Sequence, residues 1–476
     1  MDWKKFDEIL SRAGQYTVYE SSRDSSGDVW AAMVRVNGEK KLAVTGDAGQ
    51  FEGTDVGGVR LCALTVANAK ALMVAFPYTK PVSHWGHRFT LGLGDRLGMA
   101  APGQLRALEG QDVFPILAQQ SIRELTLTNR TFSDVIASAA FGVFQAGYKG
   151  GYGADGDHLK TKEEIKFALD SGCTMITLDC SAHIRDEAAN LTGAELKAAY
   201  EDLPFDLREH YESRYLDRDL PLVGRLGEDE FRKLVLVFSG AVTHAIDCYE
   251  YIGSIAAAAF DFELSIDEAR AVTSPAEHLI IATELENANV KLSSVAPHFS
   301  GEFEKGIEYQ GKLSDFARDL EIHQKIADLY GYKLSLHSGS DKFSVFPAFS
   351  RITGGHMHVK TAGTNWLEAV RVMSQKNPGL YRRAHKFALE KYLESSKYYH
   401  VSTDPYSIHD IDLLSDAYLP ELVDLPASRQ LMHISYGVLL AEPWFKDAFY
   451  AMMDENEETY YEGLKHHIGR HLRYLL

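Results

Sequence analysis

The sequence predicts an α/β protein: a (β/α)8 barrel of the TIM type with an N-terminal α/β cap and a C-terminal helical extension. The chain has 476 residues, 45% of them hydrophobic and 24% charged, which is enough for a large core and for two or three domains. From about residue 86 onward, short apolar β-rich runs alternate with helical stretches, as in a parallel sheet. Eight such units fit within residues 86–375, and a closed barrel typically needs about 250 residues. An open doubly wound sheet is the alternative.

Residues 1–85 are predicted to form the N-terminal cap. A helix is expected near WKKFDEILSRAG, followed by two alternating runs, VWAAMVRV and EKKLAVTG. Asn37 and Gly38 lie between these runs, and Asn-Gly between alternating segments is a strong signal for a β-hairpin.

The barrel is predicted over residues 86–375, with a charged helical insertion at about 184–232. Each predicted strand ends in, or just before, polar side chains. In chain order these are Asp95, then Gln119 and Ser121, Asp157 and His158, Asp179, Glu263, His298, His337, and finally His358 with Lys360. The carboxyl ends of barrel strands converge on one mouth, so these groups are expected to lie close together.

Residues 376–476 are helical in pattern and rich in aromatic residues. We expect these helices to pack on the barrel and to help cover its mouth. The segment HHIGRH at 466–471 looks like a metal cluster, but it lies on a terminal helix rich in Arg and Tyr. It is interpreted as a solvated helix face.

Charge and composition narrow the range of partners. The chain has 49 basic and 67 acidic residues, a formal charge of -18, and no basic cluster interleaved with aromatics, which argues against a nucleic-acid role. No apolar run approaches the roughly 20 residues that span a bilayer, and no leader peptide is evident. Four scattered cysteines fit small buried hydrophobes in a reducing compartment. A cytoplasmic protein that binds a small molecule is expected, with a homo-oligomer left open.

The glycine-rich stretch GGYGADGDH places Gly151, Gly153 and Gly156 at the spacing of a dinucleotide-binding loop. Such a loop needs a helix N-terminus at the last glycine to bind a pyrophosphate. Here acids follow instead, and Asp157 would stand where phosphate charge must go. The glycines are therefore interpreted as a tight turn that exposes Asp157 and His158.

His158 and His337, both at predicted strand ends, are the best pair of imidazole ligands for a metal ion. Two histidines and a carboxylate, with a position left open, suit a catalytic Zn, Mn, Fe, Co or Ni ion. The spacing does not separate His298, Glu304 and Asp179 as the third ligand.

Glu263 is a carboxylate within the apolar run AFDFEL. Burial would raise its pKa and suit it to general acid or base chemistry; a buried salt bridge is an equally good interpretation. Asp157 and Glu263 are expected to flank a substrate from opposite sides, as in a two-base epimerase.

Four cations near predicted strand ends could bind a substrate carboxylate: Lys360, Lys305, Arg96 and Arg123. No nucleophile elbow of the G-x-S-x-G type is present in the sequence.

Six motifs in order, FTLGLGDRLG, PILAQQSIREL, GYGADGDHLKT, FDFELSIDE, GEFEKGIEYQG and KLSLHSGSDKFS, resemble those of the tagaturonate/fructuronate epimerase family, and the resemblance runs through the whole chain. It implies a metal-dependent isomerase of hexuronate catabolism that acts on a sugar acid. It also implies Asp157 as proton acceptor, Glu263 as proton donor, and His158 and His337 as ligands of a divalent cation. The third ligand is placed on Glu304, ahead of His298.

The implied reaction inverts a hydroxyl-bearing carbon that is β to both the ketone and the carboxylate, so simple enolisation does not acidify its C–H bond. A retro-aldol cleavage followed by addition to the other face is expected, rather than direct proton transfer between two opposed carboxylates. The alternatives are a metal-dependent sugar-acid aldolase or lyase, and a non-catalytic carbohydrate-binding barrel.

Overall fold

The computed structural model describes residues 3–269, 271–408 and 410–476. The strands are β1 Tyr16–Val18, β2 Asp24–Ser26, β3 Val29–Val36, β4 Glu39–Thr45, β5 Thr54–Asp55, β6 Val59–Cys62, β7 Phe89–Gly92, β8 Phe114–Ser121, β9 Gly153–Leu159, β10 Met175–Asp179, β11 Asp261–Ser265, β12 Ser294–Ala296, β13 Lys333–Leu336 and β14 Met357–Lys360.

The helices follow in the same order along the chain. They are α1 Trp3–Leu10, α2 Val66–Ala75, α3 Ala101–Ala107, α4 Ile122–Thr128, α5 Phe132–Ala146, α6 Lys162–Ser171, α7 Gly193–Glu201, α8 Phe205–Tyr215, α9 Glu228–Ile255, α10 Pro275–Asn287, α11 Leu313–Tyr330, α12 Phe346–Thr353, α13 Asn365–Lys376, α14 Pro378–Glu390, α15 Tyr392–Ser395, α16 Leu419–Leu422, α17 Pro426–Ile434, α18 Tyr436–Leu440, α19 Pro443–Glu455 and α20 Glu457–Leu475.

Strands β7 to β14 form a closed barrel in which every neighbouring pair is parallel and β14 pairs with β7. The predicted (β/α)8 barrel is therefore confirmed, and the open doubly wound sheet is wrong. Each of the eight apolar runs contains one strand. The first run ends earlier than expected: β7 stops at Gly92, and Asp95 instead accepts hydrogen bonds from the backbone N–H groups of Leu97, Gly98 and Ala100 at 2.7–3.0 Å.

Several barrel helices begin at a Ser/Thr-x-x-Glu capping box, which satisfies free N–H groups at the helix start. Ser121 caps α4, Thr161 caps α6 and Ser274 caps α10. Ser121 is the last residue of β8, Thr161 follows the end of β9 by two residues and Ser274 follows the end of β11 by nine, so these helices begin on the side of the barrel where the strands end.

The glycines of β9 serve packing rather than phosphate binding. A Cβ at Gly153 would lie 2.5 Å from Ile116 Cδ1, and one at Gly156 would lie 2.9 Å from Ala168 Cβ. Gly151, with φ of +81°, makes the turn into the strand. No helix begins at Gly156, so the rejection of a dinucleotide loop is confirmed.

The N-terminal segment contains a six-stranded antiparallel sheet, β1 to β6. The predicted hairpin joins β3 to β4 at Asn37 and Gly38, whose φ angles are +50° and +86°. One face of the sheet packs on barrel helix α5, where Met33 and Leu42 are buried in one cluster with Phe144.

The helical insertion follows β10 and contains α7 and α8. Because α9 already begins at Glu228, the insertion ends a few residues earlier than predicted.

Helix α20 docks one face on the barrel, so the expectation of a solvated HHIGRH face is wrong. His467 and His471 are four residues apart, on the same side of the helix, and both are buried. His471 Nε2 accepts a hydrogen bond from the Asp341 backbone N–H (3.0 Å), and its Nδ1 donates to the His467 carbonyl (2.9 Å). Asp341 also pairs with Arg429 at 2.5 Å. One ligand atom from each of Asp341, His467 and His471 lies within 4.8 Å of the other two; since both nitrogens of His471 already make hydrogen bonds, we interpret this cluster as fastening the helix to the barrel.

Among the described residues, no helix is both long and apolar enough to cross a bilayer. All four cysteines are buried and unpaired, which confirms the interpretation of them as buried hydrophobes.

The contact between α3 and α20 predicts a difference between two glycines. A Cβ at Gly103 would lie 2.8 Å from the Tyr461 Cα atom, whereas nothing lies within 4 Å of one at Gly469. We expect Gly103→Ala to lower the free energy of unfolding by about 1–3 kcal/mol through overpacking. Gly469→Ala, in mid-helix, should raise it by roughly 0.5–1 kcal/mol. Chemical denaturation measures both, and equal effects would contradict this account of the packing.

Candidate active site

A cavity of about 680 Å³ opens at the carboxyl ends of the barrel strands, where active sites of such barrels lie. Its floor and walls come from the loops after the strands. Part of its rim comes from the C-terminal extension, which contributes Tyr399 and His433. The expectation that the extension helps to cover the mouth is thus confirmed.

Two imidazoles face each other in this cavity. His158 lies near the end of β9 and His337 directly after β13, and their ring centroids are 4.8 Å apart. Each ring has one nitrogen held by a carboxylate: His158 Nδ1 lies 2.9 Å from Asp157 Oδ1, and His337 Nε2 lies 2.7 Å from Glu263 Oε1. The second nitrogen of His337, Nδ1, lies 3.1 Å from the Asp267 carboxylate.

A β-bulge explains how two consecutive residues, Asp157 and His158, both reach the cavity. Side chains of a regular strand alternate between its two faces. In β9, Gly156 pairs with Ile176 while Leu159 pairs with Leu178, so two residues stand opposite one residue of β10. Bulges re-aim side chains near active sites. His158 has a φ of +55°, an uncommon backbone conformation for a residue other than glycine.

Lys360, at the end of β14, connects the acidic groups. Its Nζ lies 2.6 Å from Asp157 Oδ1, 2.9 Å from Glu263 Oε1 and 3.0 Å from Asp155 Oδ2, and it donates to Thr177 Oγ1 at 2.7 Å. All of these side chains are largely or fully buried. The ammonium group of Lys360 is therefore occupied by these four contacts and is not available to bind a substrate carboxylate.

The charges of this cluster set its protonation. Burial alone would raise the pKa of Glu263, but the positive charges of Lys360 and His337 hold it well below its usual range. The pKa of Asp157 is likewise raised by burial and lowered further by His158 and Lys360, so it also ends well below its usual range. The expectation of a raised pKa for Glu263 is therefore wrong. Both carboxylates are ionised at neutral pH.

Asp157 and Glu263 do not flank the cavity. They bind the same ammonium group, so they lie on one side of it, and the expectation of opposed carboxylates is wrong. Asp157 lines the cavity, and both contacts described above use its Oδ1; Oδ2 has no hydrogen-bond partner among the described residues. Glu263 is fully buried, and its Oε2 accepts from Ser294 Oγ at 2.5 Å.

Asp267 completes the imidazole cluster. One ligand atom from each of His158, Asp267 and His337 lies within 4.8 Å of the other two. The Asp267 carboxylate lies 3.1 Å from His337 Nδ1, and the neighbouring positive charge of His337 lowers its pKa despite burial, which acts in the opposite direction.

Glu304 lines the same cavity but lies outside this cluster. Its Oε2 accepts hydrogen bonds from Gln430 Nε2 at 2.8 Å and from the Ser402 backbone N–H at 2.9 Å. These contacts hold Glu304 against the C-terminal extension, and its role as a metal ligand stays a prediction without support from the geometry.

The other two candidates for the third ligand lie on different walls. Asp179 pairs with Lys160 at 3.1 Å. His298 lies on the cavity wall, and its Nδ1 lies 2.7 Å from the Ala269 carbonyl oxygen. With Nδ1 donating to this carbonyl, Nε2 of His298 is an acceptor that has no hydrogen-bond partner within the described residues.

Comparison with known proteins identifies the family of this chain. The family model described as tagaturonate epimerase matches residues 19–475. A curated tagaturonate/fructuronate epimerase from Thermotoga maritima is 38% identical over 468 residues, which cover 96% of each chain. The chain belongs to the tagaturonate epimerase family. It is accordingly an isomerase, and the family resemblance found in the sequence is confirmed.

Solved structures of the same family share the whole fold. The native crystal structure of the fructuronate-tagaturonate epimerase from Cohnella laeviribosi has a TM-score of 0.95 and 46% identity, covering 99% of both chains. A glycerol complex of that epimerase gives the same values.

Sequence reasoning missed three residues of this epimerase site. Asp155 and Asp267 lie within motifs that carried the family resemblance, two residues before Asp157 and four residues after Glu263. The alternation of Asp155 with Asp157 along β9, and the position of Asp267 just beyond the end of β11, were weak indications that both belong to the site. His433 lies on α17 in the extension, with no signal that joined it to the barrel.

Removing the Lys360 ammonium should destabilise this epimerase in a pH-dependent way. Lys360→Met leaves the ionised Asp157 and Glu263 buried without their cation, beside Asp155, whose pKa burial raises to about 7; removing the cation costs about 3–5 kcal/mol. In the wild type, the ordinary pKa values of Asp157 and Glu263 are 3.8 and 4.5, and folding lowers both. This lowering stabilises the folded protein fully at any pH above those ordinary values, and the stabilisation is lost as the pH falls through the lowered values. The loss in the variant should therefore be larger at pH 8 than at pH 5, where the unpaired acids can take up protons.

Urea denaturation of the metal-free protein at both pH values measures this difference. The matched control is Lys386→Met, which removes a half-exposed pair with Asp412 at 2.7 Å and should cost at most about 1 kcal/mol. The same loss for Lys360→Met at pH 5 and pH 8 would contradict the charge assignment.

Proposed function

We propose that this chain interconverts tagaturonate and fructuronate with a divalent cation bound at the imidazole cluster, and that it inverts the hydroxyl-bearing carbon by retro-aldol cleavage and re-addition. The observation that carries the proposal is the pair His158 and His337. His158 contacts Asp157 through Nδ1, His337 contacts Glu263 through Nε2 and Asp267 through Nδ1, and one ligand atom from each of His158, His337 and Asp267 lies within 4.8 Å of the other two.

The residues present fit a divalent cation. Metal-binding histidines almost always place their second ring nitrogen on a carboxylate or a backbone carbonyl, which fixes the ring and the tautomer. Asp157 does this for His158, and Glu263 does it for His337. Two imidazoles and a carboxylate suit Zn, Mn, Fe, Co or Ni.

Two residues are candidates for the third ligand. Asp267 already lies within reach of both imidazoles. His298 follows the same pattern as His158 and His337, because its Nδ1 is held by the Ala269 carbonyl. When bound, the cation supplies Lewis-acid stabilisation of negative charge that develops on the ketone and adjacent hydroxyl oxygens.

Asp157 is proposed as the base. It is ionised, it lines the cavity, and its Oδ2 can accept the proton of the substrate hydroxyl at the carbon to be inverted. The hydroxyl loses this proton as the adjacent C–C bond breaks to give an aldehyde. After the aldehyde turns, the bond forms again on its other face, and Asp157 returns the proton to the new alkoxide oxygen.

The placement of the carboxylates supports this route over direct proton transfer at carbon. A two-base inversion needs one group on each face of the carbon, whereas Asp157 and Glu263 share Lys360 on one side. Glu263, predicted as proton donor, is fully buried and ionised. We assign it to holding His337 and Lys360, while a single carboxylate that lends and recovers one proton suffices for the retro-aldol route.

The proposed function is tested by metal content and turnover together. Purified protein should contain about one divalent ion per chain and convert tagaturonate to fructuronate, and chelation should abolish turnover until metal is restored. His158→Gln and His337→Gln should lose metal and activity but keep the fold. His466→Gln, a substitution at an exposed histidine of α20, should change neither. Full activity of the chelated protein would refute the metal-dependent function, and accumulation of three-carbon fragments would indicate a lyase instead.

Asp267→Asn and His298→Gln identify the third ligand in the same assay. The variant at the ligand should lose metal as completely as His158→Gln does. The variant at a neighbouring group should lose only about ten- to a hundredfold in affinity. If neither variant weakens metal binding, both residues are excluded.

A further inference from the structure

At a second end of the cavity, three buried polar atoms have no hydrogen-bond partner among the described residues. His433, on α17, is 1% exposed, and neither of its ring nitrogens has a hydrogen-bond partner among the described residues. Arg96, after β7, is 5% exposed; its Nη1 is also buried without a partner. Buried polar groups are satisfied in more than nine cases out of ten, so three such atoms in one place call for a ligand.

Arg96 and His433 converge on Gly363, the first turn after β14. A Cβ at residue 363 would lie 2.5 Å from His433 Cε1 and 3.4 Å from Arg96 Nη2. All three residues line the cavity. Only a glycine leaves both side chains room at this point, so the backbone here is shaped around them.

The Arg96 guanidinium is rigidly held. Its Nε and Nη2 donate to Glu124 Oε1 at 2.8 and 2.6 Å, and its carbon lies 3.9 Å from the centre of the Tyr436 ring. These contacts fix the plane of the guanidinium and leave Nη1 as a donor with no partner in the part of the chain that the structure describes, a preorganised arrangement for an anion.

Lys305 and Arg123 add positive charge on the same cavity wall. Lys305 Nζ donates to Ser338 Oγ at 2.6 Å, and Arg123 donates to the Tyr398 carbonyl at 3.2 Å. Within the part of the chain that the structure describes, neither forms an ion pair with a carboxylate. Glu124 pairs with Arg96, and Glu304 on the same cavity lining is held by Gln430 and Ser402, so Lys305 and Arg123 are the cations left for an anionic ligand.

We propose that Arg96, Lys305 and His433 form the seat for the carboxylate of the substrate. Ser338 directly follows His337, so Lys305 lies beside the imidazole cluster, while Arg96 and His433 lie beyond it. A sugar acid whose carboxylate is held here presents its hydroxyl-bearing carbons to Asp157 and the imidazoles. The inference rests on the proposed function, because it assumes a sugar-acid substrate, and it makes the carboxylate the feature by which the enzyme selects that substrate.

The test compares tagaturonate with tagatose, the neutral ketohexose with CH2OH in place of the carboxylate. Metal-loaded wild type, Lys305→Met, His433→Leu and Arg96→Lys are assayed for turnover, and binding of each sugar is measured by isothermal titration. Each variant should raise the KM and Kd for tagaturonate by roughly ten- to a hundredfold, with a much smaller change in kcat. Values for tagatose should stay within about twofold, and Lys305→Arg should recover most of the affinity for tagaturonate.

Lys312→Met is the matched control, because Lys312 is an exposed lysine seven residues along the chain and outside the cavity; it should change neither sugar. Thermal unfolding shows whether each variant is folded. Arg96→Lys keeps a charge for Glu124, so the test does not depend on a variant that leaves that acid unpaired.

The outcomes separate this seat from the proposed function. Equal losses for both sugars, or no loss for either, would overturn the seat. If the wild type does not turn over tagaturonate but binds it in a way that depends on Lys305, the seat stands and the epimerase function fails. If turnover is normal in all three variants, the function stands and the seat fails.

Discussion

The site depends on one buried ammonium group. Lys360 binds Asp155, Asp157 and Glu263 at 2.6–3.0 Å, and without it three carboxylates would be forced together in a medium that disfavours charge. The same ammonium keeps Asp157 and Glu263 ionised, and these two carboxylates hold His158 and His337. The orientation of both imidazoles therefore follows from one charge at the end of β14.

A β-bulge in the barrel and residues from outside it complete the active site. The bulge in β9 brings Asp157 and His158 to the same side, although they are consecutive in the chain. The C-terminal extension contributes from outside the barrel: Arg429 and His471 bind Asp341, four residues after His337, and His433 enters the cavity beside Arg96. The extension thus fixes the loop that follows β13 and supplies part of the cavity wall.

The barrel could be predicted because its signals are local. Apolar runs with polar residues at their ends marked all eight strands, and convergence of strand ends at one mouth brought together His158, His337, Asp157 and Glu263. The other features of the site could not be predicted because they depend on contacts between residues distant in sequence. The low pKa of Glu263 arises from Lys360, almost a hundred residues away. The buried face of HHIGRH depends on where α20 docks, and a pattern of Arg and Tyr does not reveal that. Whether Glu304 is a ligand depends on Gln430 and Ser402, which draw its carboxylate away from the imidazoles.

In the proposed reaction Asp157 alone takes and returns a hydroxyl proton, and the inverted carbon keeps its own hydrogen. Conversion of tagaturonate in D2O by the metal-loaded protein, followed by NMR of the fructuronate formed, tests this most directly. Cleavage and re-addition of the C–C bond predicts product with no deuterium at the inverted carbon. Deuterium at that carbon would show that a proton is removed from it and returned from solvent, and would contradict the account.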